Sequence, residues 1–224
     1  EMNLPFVSIL QIFGDAFLVT LRLSIVGALI AVAVGFVTGT LKRVRVPVIH
    51  LLISFYVAVI RGTPFLLIIF IIYYIFPYFG YTLSPFESAV LGLVIHQVAY
   101  ITEIVASGLN AIDKGQHEAA QALGLNFLVK MRYVIVPQAL KIIIPGLTGQ
   151  LVLLVKDTSL VSLIGLAEIT RVGRQLTQRG ENPFIIFVLV AAFYFIICYP
   201  VIKVSERLER SSKRSWAHDS ARVE

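Results

Sequence analysis

Long apolar runs alternate with short polar breaks along the whole chain. A bilayer core takes about 20 helical residues, and the first run, Phe17 to Leu41, predicts a span over 17–41 with margin for tilt. Within it Gly27, Ala31, Gly35 and Gly39 recur every fourth residue, a smooth face suited to close helix packing in lipid. The second run, 47–79, is interrupted by RGTP, Arg61 to Pro64. Neither half spans comfortably alone, so one long tilted span with a proline kink near its middle is expected. The third, 86–112, carries His96, Tyr100, Glu103, Ser107 and Asn110 at helical spacing on one face. That face is expected to point into protein or a wet cavity, not into lipid.

The fourth run, 133–163, is bent by Pro137 and Pro145 and interrupted by Lys156 and Asp157. The stretch IGLAEITRVGRQLTQRGEN then leaves the membrane as an amphipathic surface helix, and a fifth run covers 183–202. The polar break between the third and fourth runs differs from the others. Asp113 followed by Gln116 fits a capping box, and Gly124 sits where a helix end takes a left-handed residue, so a short helix is predicted over 114–123. Its alanines leave a shallow surface suited to seating in another protein's groove. An ordinary surface helix has the same composition.

Composition agrees with an all-α membrane protein of five transmembrane helices forming a single transmembrane domain over 1–224. Only 14% of residues are charged, against about 25% in soluble domains. The net charge of +6 forms no continuous patch, which argues against nucleic acid. Lys42, Arg43 and Arg45, then Lys114, Lys130, Arg132 and Lys141, then Lys203, Arg207, Arg210, Lys213, Arg214 and Arg222 fall on one side. The other side has Arg171, Arg174 and Arg179. The positive-inside rule therefore places the N-terminus outside and the C-terminus and the 114–123 helix in the cytoplasm. The lone Cys198 excludes an intrachain disulfide, and His96 has no second ligand at metal spacing, so no metal is expected. No cleavable signal peptide is expected before Phe17, and Glu1, Met2 and the terminal SWAHDSARVE are assigned no function.

The stretch EAAQALGLNFLVKMRYVIVPQ resembles the EAA loop of ABC importer permeases. Glu118, Ala119, Ala120, Gly124, Val134, Val136 and Pro137 occupy the pattern's positions, with valines where isoleucine and leucine are usual. VIRGTP, ITEIVASGLNAIDKGQHEAAQALG and LLVKDTSLVSLIG follow in the order of the polar amino acid uptake branch, a resemblance running from about Thr20 to Pro200. It implies a type I permease fold in a bacterial cell membrane, and a coupling helix in which Lys114, Gly115, Glu118, Ala119, Ala120 and Gly124 dock on an ATPase. The partners it implies are two copies of that cytoplasmic ABC ATPase, a second permease subunit and an extracytoplasmic amino-acid-binding protein. The chain has no G-x-x-x-x-G-K-[ST] phosphate loop, so ATP and Mg would be bound by the partner and this subunit is expected to be non-enzymatic. The odd number of spans and small size favour a homodimer.

Charges at membrane depth are costly and mark function by default. Arg61, Glu103 and Asp157 each fall near the middle of a run, so the three are expected to meet at the midplane. An arginine grips a carboxylate in two-pronged fashion. Arg61 with Thr63 is thus read as holding an α-carboxylate, and Glu103 and Asp157 as taking the ammonium and a polar side chain, with Tyr100 and Ser159 completing the substrate set. Two acids against one arginine lean towards cationic amino acids (arginine, lysine, histidine), with glutamine also open. Lys156 neutralising Asp157 would cancel that lean. Two other readings stay open: Arg61 pairing with Glu103 to fix packing, and a polar-solute channel or secondary transporter not coupled to ATP.

Overall fold

The computed structural model describes residues 5–43 and 46–220. Arg45, Glu1, Met2 and Arg222 lie outside the described residues. Every element among the described residues is helical: α1 (Phe6–Leu41), α2 (Pro47–Gly62), α3 (Phe65–Phe70), α4 (Pro85–Asn110), α5 (Lys114–Ala122), α6 (Phe127–Lys130), α7 (Val136–Asp157), α8 (Ile169–Gln178) and α9 (Pro183–Ser220). Four stretches are long and apolar enough to cross a bilayer, and α2 with the α3 stretch makes a fifth as a bent pair.

The small-residue face of α1 sets the packing. Gly27 faces Leu93, Gly35 faces Ile101 and Gly39 faces Val105, a constant offset, so α1 and α4 run parallel. A Cβ on Gly35 would lie 2.5 Å from Ile101 Cγ2, and one on Gly39 would lie 2.8 Å from the Thr102 carbonyl oxygen. Thr38 and Thr102 join the same seam through their hydroxyls, 2.5 Å apart. Lipid tails are as apolar as leucine, so close van der Waals contact and buried hydrogen bonds hold such helices together. On its other side α4 packs antiparallel to α7, with Gly108 against Ile143 and Gly146 against Ile104.

Two parallel helices in one chain need a return crossing between them, which the α2–α3 pair supplies. It is not the kinked rod expected from the sequence: the two parts are bent by 103°. A residue before proline is driven out of the helical region, and Thr63 is extended at φ −108°, ψ 131°, so the helix stops and restarts after Pro64. Beyond α3 the chain passes through a π-helical stretch, Ile71–Ile75, and a 3-10 turn, Phe76–Phe79. A second π-helical stretch, Met131–Ile135, comes directly before Pro137, whose missing N–H disrupts the regular ladder there.

α1 begins at Phe6, well before the Phe17 expected from hydropathy. Its first turns bury Ile9 and Phe13 in a cluster with Ile169, Leu176 and Ile186 from α8 and α9. α8 is tied down by Glu168, fully buried, which accepts the Thr170 and Arg171 N–H groups and the Tyr194 hydroxyl at 2.7–2.8 Å. Burial pushes the Glu168 carboxyl above the usual carboxylate range.

Adding a methyl group separates these glycines. Gly39→Ala is expected to lower stability by about 1–3 kcal/mol, the usual overpacking range. Gly27→Ala, whose Cβ would meet Leu93 at an ordinary 3.7 Å, is expected to be near neutral. Thermal unfolding of the two variants in detergent checks the contrast.

Candidate substrate groove and coupling surface

The polar stripe of α4 has two kinds of surroundings. Gln97, one residue after His96 and fully buried, faces α7. Its Nε2 donates to Asp157 Oδ2 at 2.9 Å, and its Oε1 accepts from Gln150 Nε2 at 2.6 Å. His96 Nδ1 stands 3.8 Å from the same Asp157 oxygen. The His96 ring lies 4.8 Å from that of Phe65 and 5.0 Å from that of Tyr100. Tyr100 in turn carries the Arg61 guanidinium over its ring, 5.3 Å from the centroid. Asp157, His96, Tyr100 and Arg61 thus form a line across α4.

Arg61, Glu103 and Asp157 therefore do not converge on one point. Arg61 and Glu103 line a common groove of about 500 Å³ with Tyr100, Ser54 and Gly62. Asp157 sits beyond His96, held by Gln97, and is absent from that lining. Glu103 does not pair with Arg61: its carboxylate is bound by the ammonium of Lys42, from the end of α1. Lys156 is exposed, and Asp157 takes its recorded polar partners from α4. Thr63 Oγ1 donates to the Val59 carbonyl at 2.8 Å, which caps the broken end of α2. Ser159 is half-buried in the 3-10 turn that follows α7.

Lys42, Gln97 and Gln150 were not read as site residues from sequence. Lys42 reads as one more positive-inside charge, and its reach to Glu103 depends on α1 running parallel to α4. Gln97 had a signal: a glutamine flanked by apolar residues in a span demands a buried partner.

α5 is the short helix expected between the third and fourth spans. Asp113 caps it by accepting the Gly115 N–H at 2.6 Å. The reciprocal bond of a capping box is not formed; Gln116 instead bonds Gln138 of α7, at 3.1 Å. At the other end Gly124 is left-handed at φ +71°. The Leu125 N–H reaches the Ala120 carbonyl and the Gly124 N–H reaches that of Gln121, a Schellman end. Ala120 is buried, whereas Lys114, Gly115, Glu118, Ala119 and Gly124 are exposed. Leu123, Phe127 and Leu128 are 78%, 68% and 76% exposed, an apolar rim beside the helix. Burial, then the positive charges of Arg43 and Lys130, hold the His117 imidazole below its ordinary range and so neutral at pH 7.

A family described as "Binding-protein-dependent transport system inner membrane component" matches residues 28–213. The probable glutamine ABC transporter permease protein GlnP of Bacillus subtilis is 36% identical over 203 residues, covering 89% of this chain and 93% of that protein. The L-cystine transport system permease protein TcyB of the same organism is 35% identical over 196 residues, covering 87% and 84%. A crystal structure of an amino acid ABC transporter with histidines superposes with a TM-score of 0.84 at 34% identity, covering 94% of this chain and all of that one. The chain is thus a multi-pass membrane protein that belongs to the family of inner membrane components of binding-protein-dependent transport systems.

Proposed function

We propose that the chain is the permease subunit of an ATP-driven importer of polar amino acids, working by alternating access. The observation that carries this reading is the groove, where Arg61, Tyr100 and Glu103 offer a guanidinium, an aromatic face and a carboxylate around one space. A zwitterion needs both signs of charge within a few ångströms. Arg61 receives the α-carboxylate, Thr63 holds the break after α2 beside it, Glu103 receives the ammonium or a cationic side chain, and Asp157 and Ser159 polarise the far side beyond Tyr100. The similar proteins described as a probable glutamine permease, an L-cystine permease and an amino acid ABC transporter with histidines support an amino acid cargo. Lys42 balances the charge of Glu103, so preference for arginine or lysine over glutamine rests on how readily that lysine yields.

The groove is open on one side, which supports a second copy of this chain as its opposite wall. The capped α5, with its exposed alanine face and apolar rim, suits the cleft of a cytoplasmic ATPase present in two copies, which would hold ATP and Mg. An extracytoplasmic binding protein would deliver the amino acid. In this arrangement the chain carries no catalytic group of its own; closure of the ATPase pair draws the two α5 helices together and turns the groove outward.

Two outcomes test this. The purified permease–ATPase complex, without binding protein, is expected to bind an amino acid saturably, and Glu103→Gln to weaken the affinity about tenfold or more, the loss of one charged hydrogen bond. Isothermal calorimetry over an amino acid panel checks it; equal affinity in both proteins would remove Glu103 from the site. Gly124→Pro is expected to leave the ATPase bound but its hydrolysis no longer tied to uptake in proteoliposomes. Normal coupled uptake by that variant would exclude α5 as the coupling element, and uptake without the ATPase would favour a channel.

A further inference from the structure

Below the groove the same face of α2 and α4 continues into two more spaces. A narrow one of about 90 Å³ is lined by Lys42, Glu103, Arg43, His50, Ser107 and Asn110. A wider one of about 800 Å³ follows, with Lys42, Arg43, His50 and Asn110 in its wall. Lys42 borders all three spaces, and Glu103 borders the upper two. Their ion pair therefore stands where the three spaces meet, and Ser54 lines both the upper groove and the widest space.

We infer that Lys42 is a tethered counterion of Glu103, displaced by the ammonium of the substrate as it leaves the groove towards the cytoplasmic end of α4. The inference rests on the amino acid reading given above. Its physical basis is charge conservation at depth. The Lys42 and Glu103 side chains are only 16% and 29% exposed, and a part-buried carboxylate left without a partner is costly. Breaking the pair by itself would leave two bare charges. Exchange keeps Glu103 paired, because a substrate ammonium is chemically the same partner as the lysine ammonium, and leaves only the lysine to be rehoused.

Lys42 has somewhere to go. It is the C-cap residue of α1, so its freed ammonium has the terminal carbonyls of that helix and cytoplasmic water within reach of a flexible stem. Arg43, in the wall of the lower spaces, offers a positive charge to the departing carboxylate. A neutral solute has no ammonium to offer Glu103 and leaves the Lys42–Glu103 pair in place. The pair therefore acts as a chemical filter on what leaves, in addition to any selection made before entry.

The experiment uses the whole permease–ATPase complex in nanodiscs, without binding protein, with radiolabelled arginine and glutamine. Lys42→Gln removes the competitor, and arginine affinity is expected to tighten roughly three- to tenfold, the range for a part-exposed ion pair. Lys42→Arg gives Glu103 a two-pronged partner, and arginine affinity is expected to weaken by a similar factor. Both shifts vanish in a Glu103→Gln background. Thermal midpoints monitor folding, and the arginine variant, which keeps the pair, carries the test if Lys42→Gln fails to assemble. If arginine affinity is unchanged in both Lys42 variants while Glu103→Gln still weakens it, the exchange is overturned and the amino acid site stands. If Glu103→Gln has no effect either, the site reading itself fails.

Discussion

The rest of the molecule depends on the contact between α1 and α4. These helices run parallel and approach so closely that positions 35 and 39 of α1 have room for glycine alone. Parallel packing forces the chain to cross the membrane once between them, and the broken α2–α3 pair makes that crossing. It also fixes the height of the α1 terminus beside α4, so that the last residue of one helix, Lys42, meets a carboxylate inside the other, Glu103. A looser seam would move that lysine away from the groove altogether. A side-chain stripe that looks purely structural thus sets the electrostatics of the groove.

α4 then divides its polar groups between two tasks. Gln97 turns towards α7 and is satisfied there by Asp157 and Gln150, with no access to water. Tyr100 and Glu103 turn the other way, towards α2, and line an open space. His96 stands at the boundary, with its ring against Tyr100 and one nitrogen near Asp157. Buried polar contacts between membrane helices are worth about 0.6 kcal/mol on average, so the satisfied side holds α4 in register at little gain. The groove side carries the Lys42–Glu103 pair and the Tyr100 ring, where a visitor can reach them. The same helix can therefore be fixed and still offer charge.

Much of this was legible in the sequence, for identifiable reasons. The 4-3-4-3 spacing of His96, Tyr100, Glu103, Ser107 and Asn110 reports one face of α4 directly. The ends of α5 follow from Asp113 and Gly124, because capping and a left-handed turn are local chemistry. The larger departures concern what local rules leave out. The RGTP break was read as a kink, although Thr63 before proline had to leave the helix, and the bend of 103° depends on what α3 packs against. The meeting of three charges was inferred from depth alone. Depth says nothing about azimuth, and Asp157 lies around α4 from Glu103 with its own partners. The reach of α1 back to Phe6 was hidden as well, because Gly14 and Asp15 lower the hydropathy while Ile9 and Phe13 are buried by α8 and α9.

The transport route proposed above is one continuous watery path down the α2–α4 face from Arg61 to the cytoplasm. The most direct measurement replaces the native Cys198 by serine and places single cysteines at Ser54 and Ser107, which line that route. Labelling with a hydrophilic thiol reagent is then followed in the assembled permease–ATPase complex, with and without a saturating amino acid. Both positions are expected to be labelled, more slowly with bound amino acid, while a cysteine at Leu29, exposed but outside the lining of those spaces, is neither reactive nor protected. Absence of labelling at both positions, or labelling indifferent to amino acid, would contradict it.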